Sequence, residues 1–257
     1  MSKKPLILVS NDDGITSPGI RLLVEAASEL GEVLVVAPNR PQSGMGHAIT
    51  IVEPLRIYPN DLFNGIPSYE CTGTPADCIK LAKHHLVKDR SPDLVVSGVN
   101  HGSNTSVNVL YSGTMSAAIE AAIEEIPAIG FSLCDYAHEA KMDHIIPWVK
   151  TIMAKVLKEP MQVGVALNVN FPKFNDKPLK GIRVSRQARA RWKEEFDERN
   201  DPQGNQYFWL TGSFLNNDLN EDTDEWAIAN NYISVVPCRY DLTHYDSLSS
   251  YHKLLAE

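Results

Sequence analysis

The chain has 257 residues and a mass of 28.5 kDa, which fits one large domain better than two full domains. Hydrophobic residues make up 43% and charged residues 22% of it, and this composition excludes a mainly disordered chain. The formal net charge of −8 argues against nucleic-acid polymers as partners, because a negative surface does not attract a phosphate backbone.

The sequence carries no signal for export or for a membrane. No run approaches the ~20 apolar residues of a membrane span, and the apolar run 6–9 is too short for the core of a signal peptide. The cysteines form no C-x-x-C pair and indicate buried reduced thiols; they are Cys71, Cys78, Cys134 and Cys238. We therefore predict a cytoplasmic protein that has no membrane partner.

The N-terminal part of the chain alternates strand and helix signals. The apolar run 5–10 is bounded by proline and by Asn-Asp-Asp-Gly, which predicts a strand buried on both faces. Ser17 and Pro18 predict the start of a helix that ends at Gly31, and residues 32–37 predict a second buried strand.

The same alternation continues to about residue 185. Helices are predicted over 74–88, 112–125 and 138–158, and strands over 93–97, 128–133, 163–170 and 181–185. Alternating strands and helices predict an α/β fold, because right-handed strand–helix–strand crossovers build a parallel sheet covered by helices. We predict a Rossmann-like, mainly parallel sheet flanked by helices over residues 1–185.

The C-terminal part differs in character. From Gln187 the chain is charged, contains a turn at 201–204 and then presents the aromatic residues 207–209, which together predict a hairpin arm. A short helix capped at 222–224, a strand over 232–236 and a terminal helix over 247–255 follow. We expect one domain over 1–257, made of the core 1–185 and of the arm and C-terminal segment 186–257. An aromatic arm of this kind is typical of an oligomer contact, and stacking on a base is the alternative.

Four polar segments stand where a predicted strand ends or a helix begins. They are residues 11–14, 39–44, 98–104 and 111–114. Open parallel sheets bind ligands at the carboxyl ends of their strands, so we expect these segments to meet at one rim of the sheet.

The first three segments contain a candidate metal site. The ligands would be Asp12, Asp13, Ser43 and Asn100. This all-oxygen set suits Mg²⁺ or Mn²⁺ and does not suit zinc. An isolated Asn-Asp-Asp-Gly is typical of a surface turn, but its place after an apolar strand favours a cation, since two adjacent carboxylates repel each other.

The fourth segment contains a candidate phosphate site at the start of a helix. Free N–H groups of Ser112, Gly113 and Thr114 would bind phosphate oxygens, and an ordinary helix cap is the alternative. Gly44 would let the backbone approach a ligand closely, and Asn104 completes the predicted substrate-binding residues. The segment that begins at Gly44 does not have the pattern G-x-G-x-x-G, which weighs against dinucleotide binding.

Two of the histidines lie in the loops that contain these segments: His101 in 98–104, and His47 shortly after 39–44. His101 is the better candidate for protonating a leaving group or binding phosphate, and the sequence leaves that acid unassigned. His84 and His85 lie on a predicted helix and are expected to be structural.

Five segments together resemble the survival protein SurE family of metal-dependent nucleotidases. They are VSNDDGITSPGI (9–20), VVAPNRPQSGMGHAIT (35–50), CTGTPADCIKLA (71–82), PDLVVSGVNHGSN (92–104) and YSGTMSAAIEAA (111–122). The resemblance continues through 184–187, 201–212 and 222–237, so it covers nearly the whole chain in order, and such joint agreement is highly specific.

The resemblance implies a Rossmann-like fold, one divalent cation per subunit, and hydrolysis of nucleoside 5′-monophosphates, sometimes with 3′-monophosphates and polyphosphate. It carries metal-ligand roles onto Asp12, Asp13, Ser43 and Asn100, and a phosphate role onto residues 112–114. It also implies a homodimer or homotetramer that exchanges or packs the arm and C-terminal segment. Asn108 departs from the family, which often has an acid there.

The expected mechanism is in-line attack of water on phosphorus, with Asp12 or Asp13 orienting or deprotonating that water. The amides of residues 112–114 would stabilise charge on the phosphoryl oxygens. Two other classes are weaker. A receiver-type signalling module is roughly half this length, and a nucleotide-binding oxidoreductase would need the missing glycine fingerprint.

Overall fold

The computed structural model describes residues 3–137, 139–159 and 161–256. Its strands are β1 (Leu6–Ser10), β2 (Glu32–Pro38), β3 (Ile57–Asn60), β4 (Ser68–Cys71), β5 (Leu94–His101), β6 (Ala128–Leu133), β7 (Val165–Phe171), β8 (Ile182–Val184), β9 (Ala190–Asn200), β10 (Gln206–Asn216) and β11 (Ile233–Arg239). Its α-helices are α1 (Pro18–Ser28), α2 (Pro75–Leu81), α3 (Gly113–Ile123), α4 (Ile146–Lys158), α5 (Asp224–Ala229) and α6 (Leu248–Leu255).

Nine strands form the main sheet, in the order β3-β4-β2-β1-β5-β6-β7-β11-β8. The run from β4 to β7 is parallel, whereas β3 pairs antiparallel with β4, and β11 pairs antiparallel with β7. Strands β9 and β10 form a separate antiparallel hairpin. The predicted α/β class, the mainly parallel sheet and the hairpin arm are therefore confirmed, and the C-terminal segment contributes β11 to the main sheet.

The central strands of the sheet are buried on both faces because they are mainly apolar. In β1, Ile7 and Val9 belong to one apolar cluster and Leu6 and Leu8 to another, as the alternation of side chains along a strand requires. Helices α1 and α4 pack on the first face, and α2 and α3 pack on the second. None of the helices among the described residues combines the length and the apolar character needed to cross a membrane.

Two predicted helices have different bounds. The helix predicted over 138–158 begins as α4 at Ile146, after a 3₁₀ turn, and its predicted start at His138 lies outside the described residues. Pro147 occupies the first turn of α4, where a backbone N–H would have no hydrogen-bond partner within the helix, so proline costs no hydrogen bond there. The helix predicted over 74–88 is α-helical to Leu81 and continues as a π-helical turn over 82–86.

Strands β3 and β4 are absent from the sequence-based predictions. Their sequences, IYPN and SYEC, are short and largely polar, so neither shows the apolar run that marks a buried strand. Pro59 in β3 is tolerated because that strand lies at the edge of the sheet.

The first residue of α5 anchors the loop that follows β5. The buried carboxylate of Asp224 accepts hydrogen bonds from the N–H of Ser106 at 2.7 Å and of Ala188 at 2.9 Å. Burial raises the pKa of this carboxyl, and the backbone hydrogen bonds oppose that change. Asp224 thereby holds the chain before the hairpin against the loop that leaves the rim of the sheet.

We expect Asp224→Ala to lower the free energy of unfolding by about 2–4 kcal/mol, because it leaves buried N–H groups without an acceptor. Denaturant unfolding measures this loss. Asp222→Ala is the matched control, since Asp222 is 65% exposed and pairs with Arg186, and we expect a loss below about 1 kcal/mol. Equal stability of wild type and Asp224→Ala would contradict this account of the anchor.

Candidate metal and phosphate site

The candidate site lies where the order of the sheet reverses. From β1 the chain passes to β2 on one side, and it later returns as β5 on the other side of β1. Such a reversal opens a crevice at the carboxyl ends of the two central strands. Asp12 and Asp13 follow β1 at this crevice, and Asn100 and His101 end β5.

The ends of β1 and β5 meet directly. The His101 N–H lies 3.4 Å from Asp13 Oδ2, and its ring Nδ1 lies 3.8 Å from the same oxygen. The Asn100 side chain is buried, and its Nδ2 donates to the carbonyl of Gly102 at 2.9 Å. That bond uses the amide nitrogen, so the amide oxygen is the end of Asn100 that suits a cation.

Two further segments converge on Asp12. The Thr114 hydroxyl donates to Asp12 Oδ1 at 2.5 Å, and the Gln42 N–H donates to the Asp12 carbonyl at 2.7 Å. A Cβ atom at Gly113 would lie 2.6 Å from Asp12 Cβ, so glycine is the residue that permits this approach of α3. The polar segments predicted from the sequence to meet at one rim are thus brought together around Asp12.

Ser43 and Gly44 follow Gln42 on the exposed part of this loop. Gly44 has a φ of +75°, a conformation that favours glycine, and a Cβ placed there would meet no described atom within 4 Å. The backbone at Gly44 is therefore open to a ligand, and its contact with substrate stays a prediction.

The electrostatics of the site favour a cation. Asp12 is 4% exposed, and burial raises its pKa from 3.8 to about 6; the Thr114 hydrogen bond opposes this rise and the charge of Asp13 adds to it. Asn11 Oδ1, one residue away, is buried and has no hydrogen-bond partner among the described residues. The donor chemistry therefore fits a hard divalent cation held by oxygen atoms.

A zinc-type site is not present in the part of the chain that the structure describes. No group of three or more His, Cys, Asp or Glu side chains there could hold a metal ion. A cation at this rim would be held by two carboxylates and by neutral oxygen atoms, as the sequence predicts for Mg²⁺ or Mn²⁺.

We expect metal-free Asp12→Asn to be more stable than the wild type at pH 7.5, by roughly 1–3 kcal/mol. The pKa of Asp12 is higher in the folded state, so this carboxyl stabilises the fold fully below pH 3.8, and the contribution is lost as the pH rises through about 6. The advantage of the variant should therefore disappear near pH 4. Unfolding curves at both pH values, with chelator, test this, and a variant less stable than the wild type at pH 7.5 would contradict it.

The start of α3 carries the predicted phosphate residues. The Ser112 side chain accepts a hydrogen bond from the N–H of Met115 at 3.0 Å, so its hydroxyl caps the helix. An ordinary helix cap is the alternative to a phosphate site that the sequence leaves open. The first turn of α3 contains no acidic residue, and its backbone N–H groups give that end a positive partial charge beside Asp12. Binding of phosphate by Gly113 and Thr114 stays a prediction.

Asn104 lies in a buried polar network. Its N–H donates to Asn170 Oδ1 at 2.9 Å, its Nδ2 donates to Ser132 Oγ at 2.8 Å, and its carbonyl accepts Asn168 Nδ2 at 2.8 Å. Asn104 therefore anchors the loop after β5 to β6 and β7, and its contact with substrate stays a prediction. Sequence reasoning missed the partners, although two asparagines at alternate positions in the apolar strand VALNVNF were a signal.

The histidines divide as follows. His101 lies at the site beside Asp13, whereas the ring of His47 forms a hydrogen bond with Glu120 on α3. His84 lies 3.3 Å from Glu124, away from the rim, and its structural role stays a prediction.

A cavity of about 800 Å³ adjoins the site at Ser112. Its walls are mainly apolar and include Val109, Leu110, Ile119 and Val236, with Ser116 and Tyr240 among its polar groups. This volume lies within the range of sites for small molecules.

Three comparisons place these features among known proteins. The family model described as Survival protein SurE matches residues 7–194. A protein of Cytophaga hutchinsonii named 5′-nucleotidase SurE is 64% identical over 250 residues, covering 97% of this chain and 96% of that protein. One of Christiangramia forsetii with the same name is 58% identical and covers 94% of this chain and 93% of its own. The crystal structure titled Sure Protein from Aquifex aeolicus has a TM-score of 0.83 at 39% identity, over 97% of this chain and 99% of that one.

Proposed function

The chain belongs to the survival protein SurE family, and from this premise we propose that it is a divalent-metal-dependent phosphomonoesterase that hydrolyses nucleoside 5′-monophosphates to nucleoside and phosphate. The observation that carries the proposal is the convergence of Asp12, Asp13 and the N-terminus of α3 at one crevice. A carboxylate pair beside a helix N-terminus places a cation site next to an anion site, which is the arrangement phosphoryl transfer needs.

One Mg²⁺ or Mn²⁺ per subunit would be held by Asp12, Asp13, Ser43 and Asn100. When bound, such a cation neutralises charge on the phosphate and lowers the pKa of water. The burial of Asp12 beside a second acid supports this assignment, since the two carboxylates need a positive partner at neutral pH.

The chain's own residues then perform four tasks. Asp13, whose side chain is 20% exposed, orients the attacking water or takes its proton. The Thr114 hydroxyl fixes the rotamer of Asp12, and the N–H groups of Gly113 and Thr114 stabilise phosphoryl oxygens. His101, 3.8 Å from Asp13, is the candidate acid for the leaving oxygen.

The cavity beside Ser112 supports a nucleoside as the leaving group. It shares Ser112 with the phosphate site and offers apolar walls for a base, with hydroxyl groups for a sugar. Gly44 and Asn104 complete the proposed substrate contacts. We propose 3′-monophosphates and polyphosphate as further substrates.

We also propose a homodimer or homotetramer. The arm exposes Phe208 and Trp209, at 55% and 59%, and α6 exposes Leu254 and Leu255, at 72% and 76%. Apolar side chains this exposed on an arm and a terminal helix support contact with other subunits. The cysteines are free thiols, two buried and two partly buried, and this supports a reducing cytoplasmic location.

Phosphate release tests the proposal. The panel contains nucleoside 5′-monophosphates, 3′-monophosphates and polyphosphate, each with Mg²⁺, with Mn²⁺ and with chelator. Release from 5′-monophosphates that needs metal is expected. If the protein binds the metal but releases phosphate from none of these substrates, the proposed enzymatic function is wrong. That result would favour a non-enzymatic phosphate-binding module.

A further inference from the structure

A buried glutamate on α3, about two turns from the candidate site, contacts two partly exposed basic side chains. The Glu120 side chain is 2% exposed; its Oε2 lies 2.9 Å from His47 Nε2, and its Oε1 lies 2.5 Å from Lys80 Nζ. Glu120 therefore joins three elements, namely the loop after β2, α2 and α3. His47 also lines the cavity beside Ser112, whereas the proposed function gives Glu120 and Lys80 no role.

The Glu120 carboxylate is costly to bury, so stability alone does not account for it. A buried carboxylate needs partners, and replacing such ion pairs by apolar residues is often neutral or stabilising. Burial would raise the pKa of Glu120, but hydrogen bonds from His47 and Lys80 lower it below its usual range. Glu120 is therefore charged at neutral pH and holds both partners in defined positions.

The loop over residues 42–50 depends on such polar contacts. Its neighbours Ile51 and Val52 are 81% and 97% exposed, so apolar packing does not hold its C-terminal end. Hydrogen bonds hold it instead: Gly46 N–H donates to Tyr111 O at 3.1 Å, the Thr74 hydroxyl donates to Ala48 O at 2.7 Å, and the Thr50 hydroxyl donates to Asp77 Oδ2 at 2.6 Å.

The same loop begins at the site. Gln42 bonds to Asp12 and Ser43 follows it, while α3, which carries Glu120, contacts Asp12 through Gly113 and Thr114. The contact between His47 and Glu120 thus joins the middle of the loop to the helix that abuts Asp12.

We propose that Glu120 is a positioning residue, which fixes the loop 42–50 on α3 through His47 and thereby holds Ser43 at the site. The assignment of Ser43 as a ligand rests on the proposed function. The fixing of the loop by Glu120 is a property of the metal-free chain and can be measured there.

Hydrogen exchange of the metal-free protein tests the first step. Glu120→Gln keeps the shape of the side chain and removes its charge, and we expect exchange in a peptide covering 43–50 to become at least tenfold faster, with the central strands unchanged. Glu124→Gln is the matched control, because Glu124 lies one turn further along the chain, at the C-terminal cap of α3, and pairs with Lys83 and His84, outside the loop. Exchange should be unchanged in that variant.

Mn²⁺ binding and steady-state kinetics test the second step. In Glu120→Gln we expect the Kd for Mn²⁺ to rise about tenfold and kcat/KM to fall about tenfold. His47→Ala should raise the Kd for Mn²⁺ in the same way, and because His47 is one-third exposed, this variant keeps the test usable if Glu120→Gln does not fold. Mn²⁺ affinity is the readout for this variant, since His47 also lines the cavity beside Ser112 and its loss would change kcat/KM through that wall. His47→Gln, which retains a donor, should recover part of the Mn²⁺ affinity.

Three outcomes would overturn the proposal: wild-type exchange of the loop in Glu120→Gln, equal loosening in Glu124→Gln, or a loosened loop with unchanged Mn²⁺ affinity. A wild-type protein that releases no phosphate would instead overturn the proposed function, and the exchange measurement would still decide whether Glu120 holds the loop.

Discussion

Asp13→Asn should lower kcat/KM for a nucleoside 5′-monophosphate by roughly a thousandfold, which corresponds to about 4 kcal/mol of transition-state stabilisation. Asparagine keeps the size of the side chain but loses the charge that would bind the cation and the basicity that would take a proton from water. Asp13 is partly exposed at the end of β1, so the substitution should leave the fold intact. Steady-state phosphate release, with circular dichroism to check folding, measures the effect.

Asp61→Asn is the matched control for this prediction. It makes the same chemical change on an exposed residue between β3 and β4, so its kcat/KM should equal that of the wild type. If Asp13→Asn kept near-normal activity, Asp13 would have neither role, and the assignment of the metal site would fail.

Gly113→Ala is expected to lower kcat/KM by roughly a hundredfold and the free energy of unfolding by about 1–3 kcal/mol. The new Cβ would lie 2.6 Å from Asp12 Cβ and 2.9 Å from Asp12 Oδ2, so either α3 or Asp12 must move. Alanine otherwise favours a helix over glycine by about 1 kcal/mol. Helix propensity alone would make Gly113→Ala more stable than the wild type. A loss of stability would therefore show that the new Cβ clashes with Asp12.

Gly65→Ala is the control that separates the effect of lost stability from the effect of a disturbed site. Gly65 has a φ of +84° and no described atom within 4 Å of a Cβ placed there, so alanine strains the backbone without touching the site. We expect it to lose about 1 kcal/mol of stability while keeping full activity. A Gly113→Ala protein with wild-type kcat/KM would show that α3 does not need to abut Asp12.

The residues of the site could be predicted because each stands next to a strong local signal. Asp12 and Asp13 directly follow an apolar strand, and Ser112 precedes an alanine-rich helix. Local pattern and the strand-end rule for parallel sheets suffice to place such residues at one rim.

The contacts between these residues could not be predicted, because they depend on how distant elements pack. The Thr114 hydrogen bond to Asp12 and the close approach of Gly113 require the angle at which α3 meets β1, which no local pattern contains. The hydrogen bond between Glu120 and His47 joins residues 73 positions apart, and Asp224 reaches Ser106 across 118 positions.

The missed strands have a similar cause. β3 and β4 owe their existence to pairing at the edge of the sheet beside β2, and their own sequences are too short and too polar to signal a strand. Tertiary context therefore decided these elements, whereas the buried central strands are determined by their own apolar runs.

The proposed function requires that the crevice after β1 and β5 hydrolyse nucleoside monophosphates with a divalent cation. The most direct measurement follows phosphate release from a nucleoside 5′-monophosphate by one sample of the wild-type protein, first with Mn²⁺, then after chelation, and then after Mn²⁺ is restored. The account predicts release that stops with chelator, returns with the metal and is lost in Asp13→Asn. Release that persists in chelator, or that is equal in Asp13→Asn, would contradict it.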